Sequence, residues 1–276
     1  MSYPFDLVVL DLDGTLLSSN KDITEVNLKV IRQLLDMGLW VTISTGRAYS
    51  SAKQYFNHLS FEIPIILQNG ALIYVPSTGK VIRKIALNGK LAKSIVYEIR
   101  KRGNRYFVFT DFFKEPDMFT SIEPYGTPFD PYVRMNERRI ARVKNVEEYI
   151  GEEVAEVQIT CSKEEVKEII ERIYNYSQAF SPIISSEIDG MTFLEIFGPN
   201  CSKSNALGYL QRNLNIPMER IMFIGDNYND MDIMDTVGLS VSMKNAPEEV
   251  KRHADFVTLS NDEDGVAYAI KKIFKI

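Results

Sequence analysis

Asp11 and Asp13 stand two residues apart where the apolar run Leu7-Val8-Val9-Leu10 ends, and Leu12 and Gly14 flank the second acid. A short, continuous, β-branched run bounded by a turn reads as a buried parallel strand. In open α/β sheets, ligands bind at the carboxyl ends of such strands. Two acids there are costly to bury unless a cation meets them. A hard divalent cation such as Mg²⁺, which prefers oxygen ligands, is the economical partner. The pair is therefore a candidate catalytic metal site.

Other chemistry-bearing residues fall at comparable places. The run Leu39 to Ser44 ends in Thr45-Gly46-Arg47, and Ile63 to Leu67 ends in Gln68-Asn69-Gly70-Ala71. Ile221 to Ile224 runs into Gly225-Asp226, with Asn229 and Asp230 close behind, and Lys203 opens a helical pattern reaching Leu214. Singly, a Thr-Gly pair reads as a turn and a lysine at a helix start as solvated. Their succession at strand and helix ends points instead to one site.

The elements that must position these residues alternate strand and helix. Thr24 to Met37 carries apolar residues at helical spacing, with Thr24 as N-cap and Gly38 as stop. Ala48 to Leu59 reads as a second helix, and Leu72–Val75 with Lys80–Ile85 as a hairpin. From about Asn88 the texture changes to strands with one solvated face plus helices, an α+β insert. The doubly wound texture returns near Ser202. The sequence predicts an α/β fold: a doubly wound, Rossmann-like parallel sheet over residues 1–85 and 191–276, split by an α/β insert over 86–190.

Composition narrows the functional classes. The net charge of -5 argues against non-specific nucleic-acid binding. No stretch approaches the length of a membrane span. Cys161 and Cys201 form neither a disulfide framework nor a zinc pattern, so two reduced thiols in a cytoplasmic protein are expected.

Four motifs together resemble the haloacid dehalogenase (HAD) superfamily of phosphotransferases. They are Asp11-Leu12-Asp13-Gly14-Thr15-Leu16, Ser44-Thr45-Gly46-Arg47, Lys203, and Gly225-Asp226-Asn227-Tyr228-Asn229-Asp230. The long insert and Gln68-Asn69-Gly70-Ala71 look like the Cof-type subfamily with a C2B cap. Ser204 departs from the pattern, because many relatives carry glycine after the lysine. The resemblance implies a Mg²⁺-dependent phosphatase of small phosphorylated metabolites, with a cap whose contacts choose the substrate. It leaves a phosphomutase or a non-catalytic phosphometabolite sensor as alternatives, and it leaves the oligomeric state open.

Chemistry gives each matched residue a task. Asp11 matches a nucleophile that splits hydrolysis into two easier steps through an aspartyl-phosphate. Asp13 matches the general acid for the leaving oxygen and then the base for water. Thr45 and Lys203 offer a hydroxyl and a charge to phosphoryl oxygens. Mg²⁺ is expected between Asp11, the Asp13 carbonyl and Asp226, with Asn229 and Asp230 orienting Lys203 and metal waters. Gly46, Arg47, Asn69 and Asn229 are expected to bind substrate, although for Arg47 a salt bridge with a cap acid stays open. The basic run Arg134, Arg138, Arg139, Arg142 and Lys144 is expected to be a solvated face, and Phe107, Phe109, Phe112, Phe113 and Phe119 to be cap core.

Overall fold

The computed structural model describes residues 3–59 and 63–276, which fall into two compact units. The first comprises Met1–Arg47, Ala52–Arg83 and Ser202–Ile276. Its sheet has five parallel strands in the order Phe256–Val257, Leu239–Ser242, Ile221–Gly225, Leu7–Leu10, Trp40–Ile43. Leu7 to Leu10 are wholly buried, as an apolar run in the middle of a two-sided sheet must be.

Topology places the site. From Leu7–Leu10 the chain builds outward to Trp40–Ile43, and a parallel bridge from Ser44 to Ile66 continues toward Ile65–Leu67. The returning chain fills the opposite side with Ile221–Gly225. The strand order therefore reverses beside Leu7–Leu10, and crevices open at the carboxyl ends of strands at such a switch point. Asp11, Thr45 and Asp226 each follow one of the three adjacent strands.

Local signals agree with these elements. The helix Glu25–Asp36 starts at Thr24, whose hydroxyl accepts from the Asn27 amide at 3.2 Å. The expected helix from Ala48 to Leu59 is broken into Tyr49–Ala52, a 3₁₀ turn Lys53–Tyr55 and Phe56–Leu59, where Tyr55 turns inward. A C-terminal helix, Gly265–Phe274, went unread in the sequence. Its Ala267 amide donates to the buried Asn27 Oδ1 at 2.9 Å, which ties it to the first helix.

The second unit comprises Ala48–Ser51 and Lys84–Cys201. Its six-stranded sheet runs Ser181–Ile188, Met191–Phe197, Glu156–Ser162, Arg105–Phe109, Met118–Thr120, Ile140–Arg142. Met191–Phe197 pairs antiparallel with both Glu156–Ser162 and Ser181–Ile188, so it belongs to the insert. The boundary expected at residue 190 falls after Cys201, because Gly190 turns a hairpin instead of leaving the unit. One sheet face packs Val157, Ile159, Leu194 and Ile196 on the helices Gly89–Arg102 and Glu165–Tyr174.

The other sheet face was expected to be solvated, yet Glu156, Gln158, Thr160 and Glu195 are buried. Aromatic packing explains part of this: Phe129 stacks on Phe193 with centroids 3.8 Å apart, and Tyr132 meets the same ring edge-on. Arg139 is likewise no solvated residue. It is buried, and its Nε and Nη2 donate to Asp117 at 3.0 and 2.6 Å. Of the five phenylalanines assigned to this core, only Phe113 is exposed, at 37%. Ile159 sits at the centre of the sheet–helix core, so Ile159→Ala should cost about 2–5 kcal/mol, read by urea unfolding.

Candidate active site

Lys203 is the best-enclosed cation of the first unit, with a side chain only 1% exposed. It opens the helix Lys203–Leu214 behind the N-cap Ser202, whose side chain accepts from the Asn205 amide. Its Nζ donates to Asp11 Oδ1 at 2.7 Å and to Asp230 Oδ1 at 2.5 Å. Burial works to lower the lysine pKa, but the two carboxylates hold it above its ordinary value. Ser204 continues the helix, outside the positive-φ residues that favour glycine, and its amide donates to Asp232 Oδ2 at 3.2 Å.

Asp230 is committed to this arrangement. Its Oδ2 accepts from the amides of Asp226 at 2.9 Å and Asn227 at 3.0 Å, which closes the turn after the strand Ile221–Gly225. Asp226 is itself buried, and its Oδ1 accepts from the Thr15 hydroxyl at 2.8 Å. Gly14 permits that approach: a Cβ there would overlap the Asp226 carboxylate, and its φ of +75° favours glycine. Thr15 belongs to the first motif, and its task there is the bond to Asp226.

Carboxylate oxygens of Asp11, Asp226 and Asp230 lie within 4.8 Å of one another, all in buried residues. If all were ionised, three carboxylates against one ammonium would leave two negative charges in a buried place. Burial pushes Asp11 up to about 7, with Lys203 opposing and Asp230 reinforcing. Asp226 is raised as well, by burial first and then by Asp11 and Asp230. A hard oxygen donor set with unbalanced negative charge fits a divalent cation held by Asp11 and Asp226.

Asp13 faces different partners. Arg47 Nε donates to its Oδ2 at 2.5 Å, while Arg47 Nη2 and Lys21 Nζ reach Oδ1 at 2.7 and 2.8 Å. Burial alone would raise this carboxyl, but the Arg47 hydrogen bonds and charge, with Lys21, hold it down at about 2. The carboxylate that Arg47 reaches in the first unit is thus Asp13. The Asp13 side chain takes no part in the buried acid cluster of Asp11, Asp226 and Asp230. Nothing in the sequence reading marked Lys21, which sits in the turn between Ser18 and Asp22.

The remaining expected residues gather nearby. Thr45 is 1% exposed; its hydroxyl accepts from the Arg47 amide and its carbonyl from the Asn69 amide. Asn69 Oδ1 accepts from Asn229 Nδ2 at 2.8 Å. A Cβ on Gly46 would lie 3.2 Å from Asn69 Oδ1 and 3.5 Å from Asn229 Nδ2, so glycine leaves this small polar group its room. The first unit brings together Asp11, Asp13, Thr45, Gly46, Arg47, Asn69, Lys203, Asp226, Asn229 and Asp230. Such a set offers a carboxylate nucleophile, a second acid, and donors for an oxyanion.

The family model of haloacid dehalogenase-like hydrolases matches residues 8–270. The chain is 31% identical over 279 residues to the 5-amino-6-(5-phospho-D-ribitylamino)uracil phosphatase YitU of Bacillus subtilis, covering 98% of each chain. It is 29% identical to Phosphatase YwpJ of the same organism, over 97% of this chain and 99% of that one. A crystal structure of a haloacid dehalogenase-like hydrolase from Bacteroides thetaiotaomicron superimposes with a TM-score of 0.80 at 26% identity, covering 98% of this chain and 100% of that one.

Replacing Lys203 by Met leaves Asp11 and Asp230 without their ammonium. In EDTA at pH 8 the variant should lose about 3–5 kcal/mol of stability, as expected when one partner of a buried pair is removed. The loss should shrink toward pH 5, where the carboxyls with raised pKa take up protons. Urea unfolding at the two pH values checks both parts.

Proposed function

Since the chain belongs to the haloacid dehalogenase-like hydrolase family, we propose that it is a Mg²⁺-dependent phosphatase of small phosphorylated metabolites acting through an aspartyl-phosphate on Asp11. The coarser statement, a phosphoric monoester hydrolase, rests on the family and its phosphatase relatives. The observation that carries the finer one is the buried Lys203, which fixes one oxygen of Asp11 while itself fixed by Asp230.

In this reading Asp11 attacks phosphorus in line with the departing oxygen, and the alcohol leaves. Lys203, Thr45 and the Asn69–Asn229 pair meet the phosphoryl oxygens. Asp13 gives the leaving oxygen its proton, then takes one from the water that attacks the phosphorylated Asp11. Three donors on its carboxylate describe the proton-accepting form, so to donate it must release at least one of them and carry the proton taken from solvent or from the water of the preceding turnover. Asp11, Asp226 and the Asp13 carbonyl would hold Mg²⁺, which when bound neutralises phosphoryl charge. The relative YitU is named for a phosphate on a ribityl chain, which supports a sugar phosphate or a similar polyol phosphate as substrate.

Asp11→Asn should lower turnover by roughly three orders of magnitude or more, because nucleophile and metal ligand are lost together. Steady-state release of phosphate from an aryl phosphate and from a panel of phosphorylated metabolites checks this. Near-wild-type turnover in the variant contradicts the mechanism.

Mg²⁺ gives a second expectation, with a definite sign. Without metal, the native Asp11 keeps a proton up to about 7 that the unfolded chain loses near its ordinary value of 3.8. The native state then binds more protons, so this group makes stability fall as pH rises through that window. Metal binding removes the penalty. The rise in melting temperature caused by Mg²⁺ should therefore grow from pH 5 to pH 8, and a rise that shrinks over that range speaks against binding at Asp11.

A further inference from the structure

We propose that Lys21 is a positioning residue for Asp13, and that Tyr55 fixes Lys21 so that the acid keeps its aim when Arg47 turns to the substrate phosphate. The inference rests on the acid–base reading of Asp13.

Four residues of the first unit close a ring. Arg47 grips both oxygens of Asp13, and Lys21 adds a third bond, to Oδ1. The Arg47 guanidinium carbon lies 5.1 Å from the centre of the Tyr55 ring, a cation–π contact. The Tyr55 hydroxyl then donates to the Lys21 carbonyl at 3.0 Å. Tyr55 is only 6% exposed, so its ring supports one cation of Asp13 while its hydroxyl anchors the backbone of the other.

The backbone of Lys21 needs such an anchor. Its φ is +65°, a left-handed conformation that residues with side chains rarely adopt. The tight turn around it supplies part of the hold: the Ser18 amide donates to the Asp22 carbonyl and the Lys21 amide to the Ser18 carbonyl, each at 2.9 Å. Tyr55 supplies the rest. A relaxed Lys21 backbone would carry Nζ away from Asp13.

Function gives the second cation a purpose. The Asp13 side chain is 38% exposed, against 7% for Asp11, so packing alone holds it loosely. Planar guanidinium binds phosphate as well as carboxylate through two parallel bonds, so Arg47, which the sequence assigns to substrate, would leave Asp13 in so far as it joined Lys203 and Thr45 on the phosphate. Once Arg47 is shared, Lys21 remains on Oδ1 and leaves Oδ2 for the leaving oxygen. The Lys21–Asp13 pair is part-buried, so the test reads a ratio between two substrates, which a loss of folded enzyme leaves unmoved.

The test compares a primary alkyl phosphate, a poor leaving group, with p-nitrophenyl phosphate, a good one, in Mg²⁺. Asp13→Ala is the reference and should collapse the alkyl-to-aryl ratio of kcat. Lys21→Met should lower that ratio about tenfold, a fraction of what general acid catalysis supplies. Lys21→Arg should restore most of it. Tyr55→Phe should lower the ratio less, and the double variant with Lys21→Met should lose no more than Lys21→Met alone, the signature of one coupled unit. Equal loss on both substrates in Lys21→Met, or an unchanged ratio beside a collapsed Asp13→Ala ratio, overturns the positioning role. An unchanged ratio in Asp13→Ala removes the acid reading, and this inference with it.

Discussion

One buried ammonium organises the site. Lys203 has almost no contact with water, and its charge is met by Asp11 on one side and Asp230 on the other. Breaking such a pair leaves a charge that neither water nor protein answers, so each member holds the others in place. Asp230 passes the constraint onward through two backbone amides to the strand end that presents Asp226. Asp11, Lys203 and Asp226 are thereby fixed relative to one another by a single network.

The sheet makes that network possible. Asp11 and Asp226 come from sequence positions 215 residues apart, yet they follow adjacent parallel strands in register, Leu10 beside Ile224. Both carboxylates leave the sheet at the point where strand order reverses. Gly14 then lets the Asp226 carboxylate come against the turn that follows Asp11. The cost is concentrated charge: the buried Asp11 and Asp226 are raised, while Asp13, met by two cations, is lowered. Two carboxylates two residues apart are thus held in different states: burial dominates at Asp11, and the Arg47 and Lys21 cations outweigh it at Asp13.

Much of this was legible in the residues, because the site is written in short motifs at strand ends and the core strands are unbroken apolar runs. The helix start at Thr24, the helix Lys203–Leu214 and the strand preceding Asp226 follow from capping and periodicity. The insert was harder to read. Glu156, Gln158 and Glu195 alternate with apolar residues as a solvated face would, whereas the contacts of Phe129 and Tyr132 with Phe193 and the Gln158–Glu195 hydrogen bond show a packed face. Arg139 read as surface charge because its partner Asp117 is 22 residues away. Lys21 was hidden for a similar reason: its importance comes from a left-handed turn and a tyrosine 34 residues on, which leave no periodic trace.

The central claim is that phosphate passes through the Asp11 carboxylate that Lys203 holds. The most direct measurement is acid quenching during turnover of an alkyl or aryl phosphate in Mg²⁺, followed by borohydride reduction and peptide mass spectrometry. An acyl phosphate on Asp11 is reduced to homoserine, and the account predicts homoserine at position 11 in the turning-over enzyme and none without substrate. Reduction at another carboxylate, or turnover with no reducible acyl phosphate on the chain, contradicts it.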